Sequence, residues 1–198
     1  MTDLGNTLVS ICLGLGLSAA TGFRIFVPLL MINLASRTGW LELSHQFAWM
    51  GESPALIIFA AATVLEIGAF YVPWLDNLLD SIASPAAVIA GTLVSASMIV
   101  GMDPMLKWCL AIIAGGGIAG TVQSSFVGAR QVSALTTAGL GNPIVATLEL
   151  VGSIFMTALS FFAPVIAFAV VIVLMIVVAR LLLRRRRSRR TKTEGAAI

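Results

Sequence analysis

Apolar residues run along this chain in long blocks, with polar residues between the blocks or as isolated interruptions inside them. Six blocks approach the roughly 20 residues a helix needs to cross a bilayer. They cover residues 6–35, 54–73, 84–102, 105–128, 143–160 and 164–183. Pro54, Pro85, Pro143 and Pro164 stand at the openings of four of them. Proline is cheap there, because the N–H it lacks would be unsatisfied in a first helical turn anyway. The first block is longer than a crossing requires, and Gly22, Arg24 and Pro28 interrupt it in "ATGFRIFVP". The fourth is dense in glycine. The pattern predicts an all-α polytopic membrane protein of about six transmembrane helices. Residues 1–183 form one transmembrane domain, and residues 184–198 a basic tail.

Composition closes off the soluble alternatives. Hydrophobic residues make up 59% of the chain and charged residues 11%, against about 25% charged in a typical soluble domain. Mean hydropathy is +1.02. The formal net charge of +3 is unevenly placed. Seven arginines crowd into "RLLLRRRRSRR" at 180–190, which leaves the remainder slightly acidic. A basic run after an apolar span marks the cytoplasmic end of that span. It also suits anionic lipid head groups. The run is short and fused to a span, so nucleic acid is not an expected partner. An even number of spans then puts both termini in the cytoplasm, in the cell inner (plasma) membrane. The 36–53 loop faces outside with Trp40 and Trp49 at the interface, and "WLDNLLD" at 74–80 faces inside. The opening stretch carries Asp3 and no basic residue ahead of the first block, so it is read as a retained span rather than a signal peptide. The closing "TKTEGAAI" is expected to be disordered.

A weak internal repeat crosses the middle of the chain. With an offset of 100 residues, Gly16, Ala19, Thr21, Phe26, Val27 and Gly39 meet identical residues at 116, 119, 121, 126, 127 and 139. In each half a glutamate follows in a later apolar block: Glu66 in "ATVLEIGAF" and Glu149 in "ATLELVGSIF". Repeat one covers about 6–102 and repeat two about 105–183. Three spans per half make the halves inverted, as in many transporters. Gly14 and Gly16 are then expected to cross closely with Gly116, Gly117 and Gly120, since small residues let membrane helices approach.

The candidate chemistry lies in the charged residues that interrupt these blocks. A carboxylate at bilayer depth is costly unless paired, hydrated or protonated, so Glu66 and Glu149 point to an ion or proton pathway or to buried ion pairs with Arg24 or Arg130. Arg24 stands at the expected break in the first helix, where free backbone groups can meet ions. The stretch 124–143 holds Ser124, Ser125, Arg130, Gln131, Thr136, Thr137 and Asn142, with Gln123 just before it. That is polar for a lipid-facing helix, and it reads equally as a re-entrant segment or a cytoplasmic loop. Asp76 and Asp80 share a face if their segment is helical and form a weak metal candidate, although oxygen sites need more ligands than two. "GGGIAG" at 115–120 matches a dinucleotide fingerprint only formally, because no strand precedes it. Cys12 and Cys109 form no CxxC pair, and His45 is the single histidine, so no cofactor is implied.

The stretches "GLSAATGFRIFVPLL", "TVLEIGAFYVPWLDNLLD" and "GLGNP" resemble a family of small bacterial and plastid membrane proteins catalogued as domain of unknown function 4126. The resemblance covers most of the chain before the basic tail. It implies that Arg24, Glu66, Asp76, Asp80 and Asn142 belong to the family pattern, and it supplies no substrate or catalytic residue. The residues themselves favour an ion- or proton-linked transporter or channel for a small ion or solute, assembled as a homo-oligomer. Arg24, Glu66, Gln123, Arg130, Asn142 and Glu149 would line its pathway. A lipid-handling enzyme or a purely structural membrane protein are the rival readings, and the enzyme is the less favoured.

Overall fold

The computed structural model describes residues 2–69, 73–137 and 140–194, with side chains described for all of these except 2–3, 73–80, 182 and 184–194. The regular elements among the described residues are all helical, with no strand among them. Eight α-helices follow in order: α1 Thr2–Phe23, α2 Phe26–Arg37, α3 Ser53–Ala69, α4 Pro73–Met98, α5 Pro104–Leu110, α6 Gly117–Thr137, α7 Asn142–Phe162 and α8 Pro164–Glu194. A short 3-10 segment, His45–Gly51, precedes α3, and a π-helical turn, Ala111–Gly116, joins α5 to α6. Five helical runs are long and apolar enough to cross a membrane: Leu4–Phe23, Ser81–Met98, Pro104–Thr137, Asn142–Phe162 and Pro164–Leu181. The 3-10 segment and α3, bent by 63° at their junction, make a sixth if they count as one span.

Helix α1 is the centre of the bundle, and its neighbours show which way each helix runs. Ser10 Oγ accepts from Val100 N at 3.4 Å, and Ser18 Oγ donates to Gly91 O at 2.7 Å, so α4 is antiparallel to α1. Ser153 Oγ donates to Ala20 O at 3.1 Å while Gly16 lies against Ser160, so α7 is antiparallel to α1 as well. Phe23 meets Phe126 on α6, with ring centroids 5.1 Å apart, and Gly22 packs against Ala119 and Val122. A Cβ on Gly22 would stand 2.7 Å from the Ala119 carbonyl oxygen, so only glycine lets α1 and α6 approach this closely.

The first apolar block is not one span. The chain breaks at Arg24 and Ile25, and α2 turns back along the bundle. Three contacts fix that sense. Asn33 Nδ2 donates to Met50 O at 2.6 Å, Trp40 meets Phe162 edge to face at 6.3 Å, and Ser44 N donates to Ser97 O at 2.9 Å. All three partners lie toward the end of the bundle where α1 begins, here called the near end. Helices α1 and α2 therefore form a helical hairpin with its apex at Arg24. Helix α3 then runs away from the near end, α4 returns, α5–α6 run away, α7 returns and α8 runs away again.

This path corrects five expectations. The 36–53 loop shares the near end with the start of α1, whereas six simple spans would have separated them. The start and finish of the described chain lie at opposite ends of the bundle, because the return of α2 makes the number of passes odd. Pro85 does not open a helix. It sits inside α4, which tolerates the lost hydrogen bond and runs on from Pro73. The polar stretch after residue 123, open between a re-entrant segment and a loop, continues α6 to Thr137, and α8 likewise continues through the arginines to Glu194.

The expected glycine crossing is redistributed. Gly14 faces Ser95 and Met98 on α4, and Gly16 faces Ser160 and Ala167. Gly116 and Gly120 face Val88, while Gly117 has nothing close. The tight α1–α6 approach is made by Gly22 instead. Helices α3 and α7 run in opposite directions, as do α4 and α8, but α1 and α6 run the same way. A strict inverted three-helix repeat does not allow that last relation.

Candidate functional site

The hairpin apex brings together charged residues from four parts of the chain. Arg24 ends α1, Glu66 lies in the last turn of α3, Arg130 is on α6, and Glu149 lies two turns into α7. All four are buried: Arg24 is 1% exposed, Arg130 2%, Glu149 1% and Glu66 8%.

Glu149 is held by charge. Arg130 Nη1 donates to Glu149 Oε1 at 2.6 Å and to Oε2 at 2.5 Å. Arg24 Nη2 lies 3.5 Å from Glu149 Oε2 and donates at 2.9 Å to the carbonyl of Ala146, one turn earlier on α7. Two guanidinium groups on one carboxylate make the arrangement cationic on that side. Charge-assisted bonds of this kind are short and about twice as strong as neutral ones.

Glu66 is held by the backbone. Its Oε1 accepts from Ile25 N at 2.8 Å and its Oε2 from Phe26 N at 3.1 Å. These are the first free amides of α2. A helix start exposes four such donors and the positive end of the helix dipole. The residue just before α2, Ile25, offers no side-chain cap of its own. Glu66 supplies the cap from 41 residues away. Arg24 and Arg130 both lie close enough to act on it electrostatically.

The structure therefore unites Arg24, Glu66, Arg130 and Glu149. Gln123 is buried on α6 seven residues before Arg130, so the 3.6-residue repeat puts it on the same face two turns away. Asn142 begins α7 with the same spacing to Glu149. The side chains of Asp76 and Asp80 lie outside the described residues. Among the described residues, no group of three or more histidine, cysteine or acidic side chains could hold a metal ion.

The sequence alone did not reveal the hydroxyls that extend this site. Ser153, Thr157 and Ser160 follow Glu149 along α7 toward the near end, all buried. Ser153 bonds to Ala20 O, while Thr157 and Ser160 donate to carbonyls of their own helix. On α4 and α1, Ser95, Ser97, Ser18 and Thr21 are buried in the same manner. The signal was a serine four residues after Glu149, a spacing that returns to the same helix face.

The family described as domain of unknown function (DUF4126) matches residues 11–184 of this chain. The chain belongs to this family. The match spans both halves of the charged site, from Arg24 to Glu149. No curated protein and no solved structure matches the chain. The family's description assigns no activity, so function rests on the geometry above.

Proposed function

We propose that the protein is a small ion- or proton-linked membrane transporter or channel whose working site is the charged cluster at the hairpin apex. One observation carries this reading. Two arginines and two glutamates from separate helices converge, nearly fully buried, where a helix is broken inside an apolar bundle. Ionisable groups at such depth are expensive and by default serve ion or proton pathways. Broken helices inside a bundle are where many transporters place their sites. The opposed directions of α3 and α7, and of α4 and α8, support a partial inverted repeat, with α1 standing outside it.

By the positive-inside rule, the arginine run on α8 favours a cytoplasmic far end and C-terminus. With the hairpin, that reading has the N-terminus and the 38–44 loop on the outer side. Reporter fusions at residues 1, 41 and 198 should read out, out and in. An N-terminal reporter in the cytoplasm would rule this orientation out.

Flux tests the activity. Purified protein in liposomes should move a small ion or solute. Glu66→Gln and Glu149→Gln should each lower that flux at least tenfold while the protein stays folded by circular dichroism. A second reading, a structural membrane protein, is favoured by the full pairing of Glu149. It predicts that no flux occurs and that the same variants change only stability.

A further inference from the structure

A groove of about 900 Å³ runs along the side of the bundle between α4, α6 and α8. It reaches from Ile112 in the π-helical turn to Ser84 on α4 and Leu181 on α8. Helices α6 and α8 run toward the far end and α4 starts there, so the Ser84 and Leu181 end of the groove is its far end. Two of its glycines stand out. Gly116 and Gly120 pack against Val88, which accounts for them as close helix contacts. Gly117 and Gly128 also line the groove, yet a Cβ on either would meet nothing within 4 Å. Helix packing calls for glycine at neither position, and what their small size does is keep the groove deep. The wall suits hydrocarbon. Val88, Val178 and Leu181 are apolar, and Thr121 and Ser125 donate to carbonyls of their own helix at 2.7 Å. Positive charge gathers at the far end. Arg180, exposed, stands beside Leu181 on α8, and Arg184 to Arg187 begin one turn later, about 5 Å along the axis.

We propose that this groove binds one anionic membrane phospholipid, with an acyl chain along Gly117 and Gly128 and the phosphate at the level of the arginine run. The order of chemistry along the groove is that of a lipid in one leaflet: an apolar wall toward the middle of the bundle, and basic residues where the head group sits. Basic pockets between membrane helices bind anionic head groups by the same logic. A second copy of this chain fits the groove less well. A two-fold contact there is self-complementary, so it sets two α8 helices and their arginine runs side by side. Like charges so placed oppose association, whereas an anionic lipid neutralises them. The site is separate from the charged cluster, because none of Arg24, Glu66, Arg130 and Glu149 lines the groove. It therefore stands or falls independently of the transporter reading.

Binding can be read on the purified full chain, delipidated in a nonionic detergent and titrated with phosphatidylglycerol or phosphatidylcholine of matched acyl chains. Native mass spectrometry counts the lipid bound, and thermal shift gives its affinity. The wild type should bind phosphatidylglycerol about tenfold more tightly than phosphatidylcholine, the preference of a basic pocket. Gly117→Leu and Gly128→Leu put side chains into open space, so they fill the groove without pushing helices apart. Each should weaken phosphatidylglycerol binding about tenfold, as overfilling a packed site does. If the leucine variants do not fold, Gly117→Ala and Gly128→Ala together should still weaken it about twofold, within the range of a small steric change. Arg184→Gln with Arg185→Gln should lower the preference for phosphatidylglycerol and leave phosphatidylcholine binding unchanged. The proposal is overturned if the glycine variants bind phosphatidylglycerol like the wild type, or if the wild type does not distinguish the two lipids. It is equally overturned if the glycine variants turn a dimer into monomers with lipid binding unchanged, which would make the groove a contact between copies.

Discussion

Glu66 and Glu149 are both glutamates in apolar helices, a few residues from the same helix break, yet the protein treats them differently. Glu149 is bound by side-chain charges that came into the bundle with their own desolvation cost. Glu66 is bound by backbone dipoles that α2 would otherwise leave open at its start. A buried ion pair leaves a large penalty behind when one partner is removed. A helix cap is worth less, about 1 kcal/mol. The comparison predicts that the Glu149 side of the site is the more costly to disturb.

The largest test of that contrast is Arg130→Ala. It strips the short bonds from Glu149 and leaves a buried carboxylate without its closest guanidinium. The expected loss is about 3–5 kcal/mol of stability, the range for breaking a buried pair on one side. Reversible unfolding in mixed detergent micelles would measure it. A loss below about 1 kcal/mol, typical of exposed pairs, would mean water reaches Glu149 and the contrast with Glu66 is false.

Glu66→Gln should cost much less, about 1 kcal/mol. The amide oxygen still accepts one α2 N–H, and only the second acceptor and the charge are lost. The same unfolding measurement applies. A cost equal to that of Arg130→Ala would show that Glu66 is held as firmly as Glu149 and that the contrast fails.

The identity of the cluster was legible before the structure. Arg24, Glu66, Arg130 and Glu149 stand out because each interrupts an apolar block. What the sequence hid was how the chain travels between them. Gly22 and Pro28 announce a break near Arg24, but the sense of the turn is decided by a partner 41 residues away, when Glu66 satisfies the amides of α2. No local pattern carries that information. The stretch after Gln123 looked too polar for a lipid-facing helix, open between a re-entrant segment and a loop, because of its hydroxyls. They are satisfied within the helix itself: Thr121 donates to Gly117 O, Ser125 to Thr121 O, Thr136 to Val132 O and Thr137 to Ser133 O. Such back-bonding lets serine and threonine sit in an apolar helix without calling for water. Pro85 misled for a related reason. Proline is a boundary signal only when nothing else holds the turn before it, and α4 is packed against α1 and α6 through Gly91, Gly115 and Gly116.

The hairpin apex also sets an order of events during synthesis. Arg24 bonds to Ala146 O across 122 residues of sequence. At a ribosome speed of about 5–20 residues per second, the arginine waits roughly 6–24 s before that acceptor has been made. Glu66 emerges well before it, so the first hairpin can be capped while the Ala146 acceptor of Arg24 has yet to be made. The nascent first half thus takes its shape early, and the last hydrogen bonds of its apex are supplied by the second half.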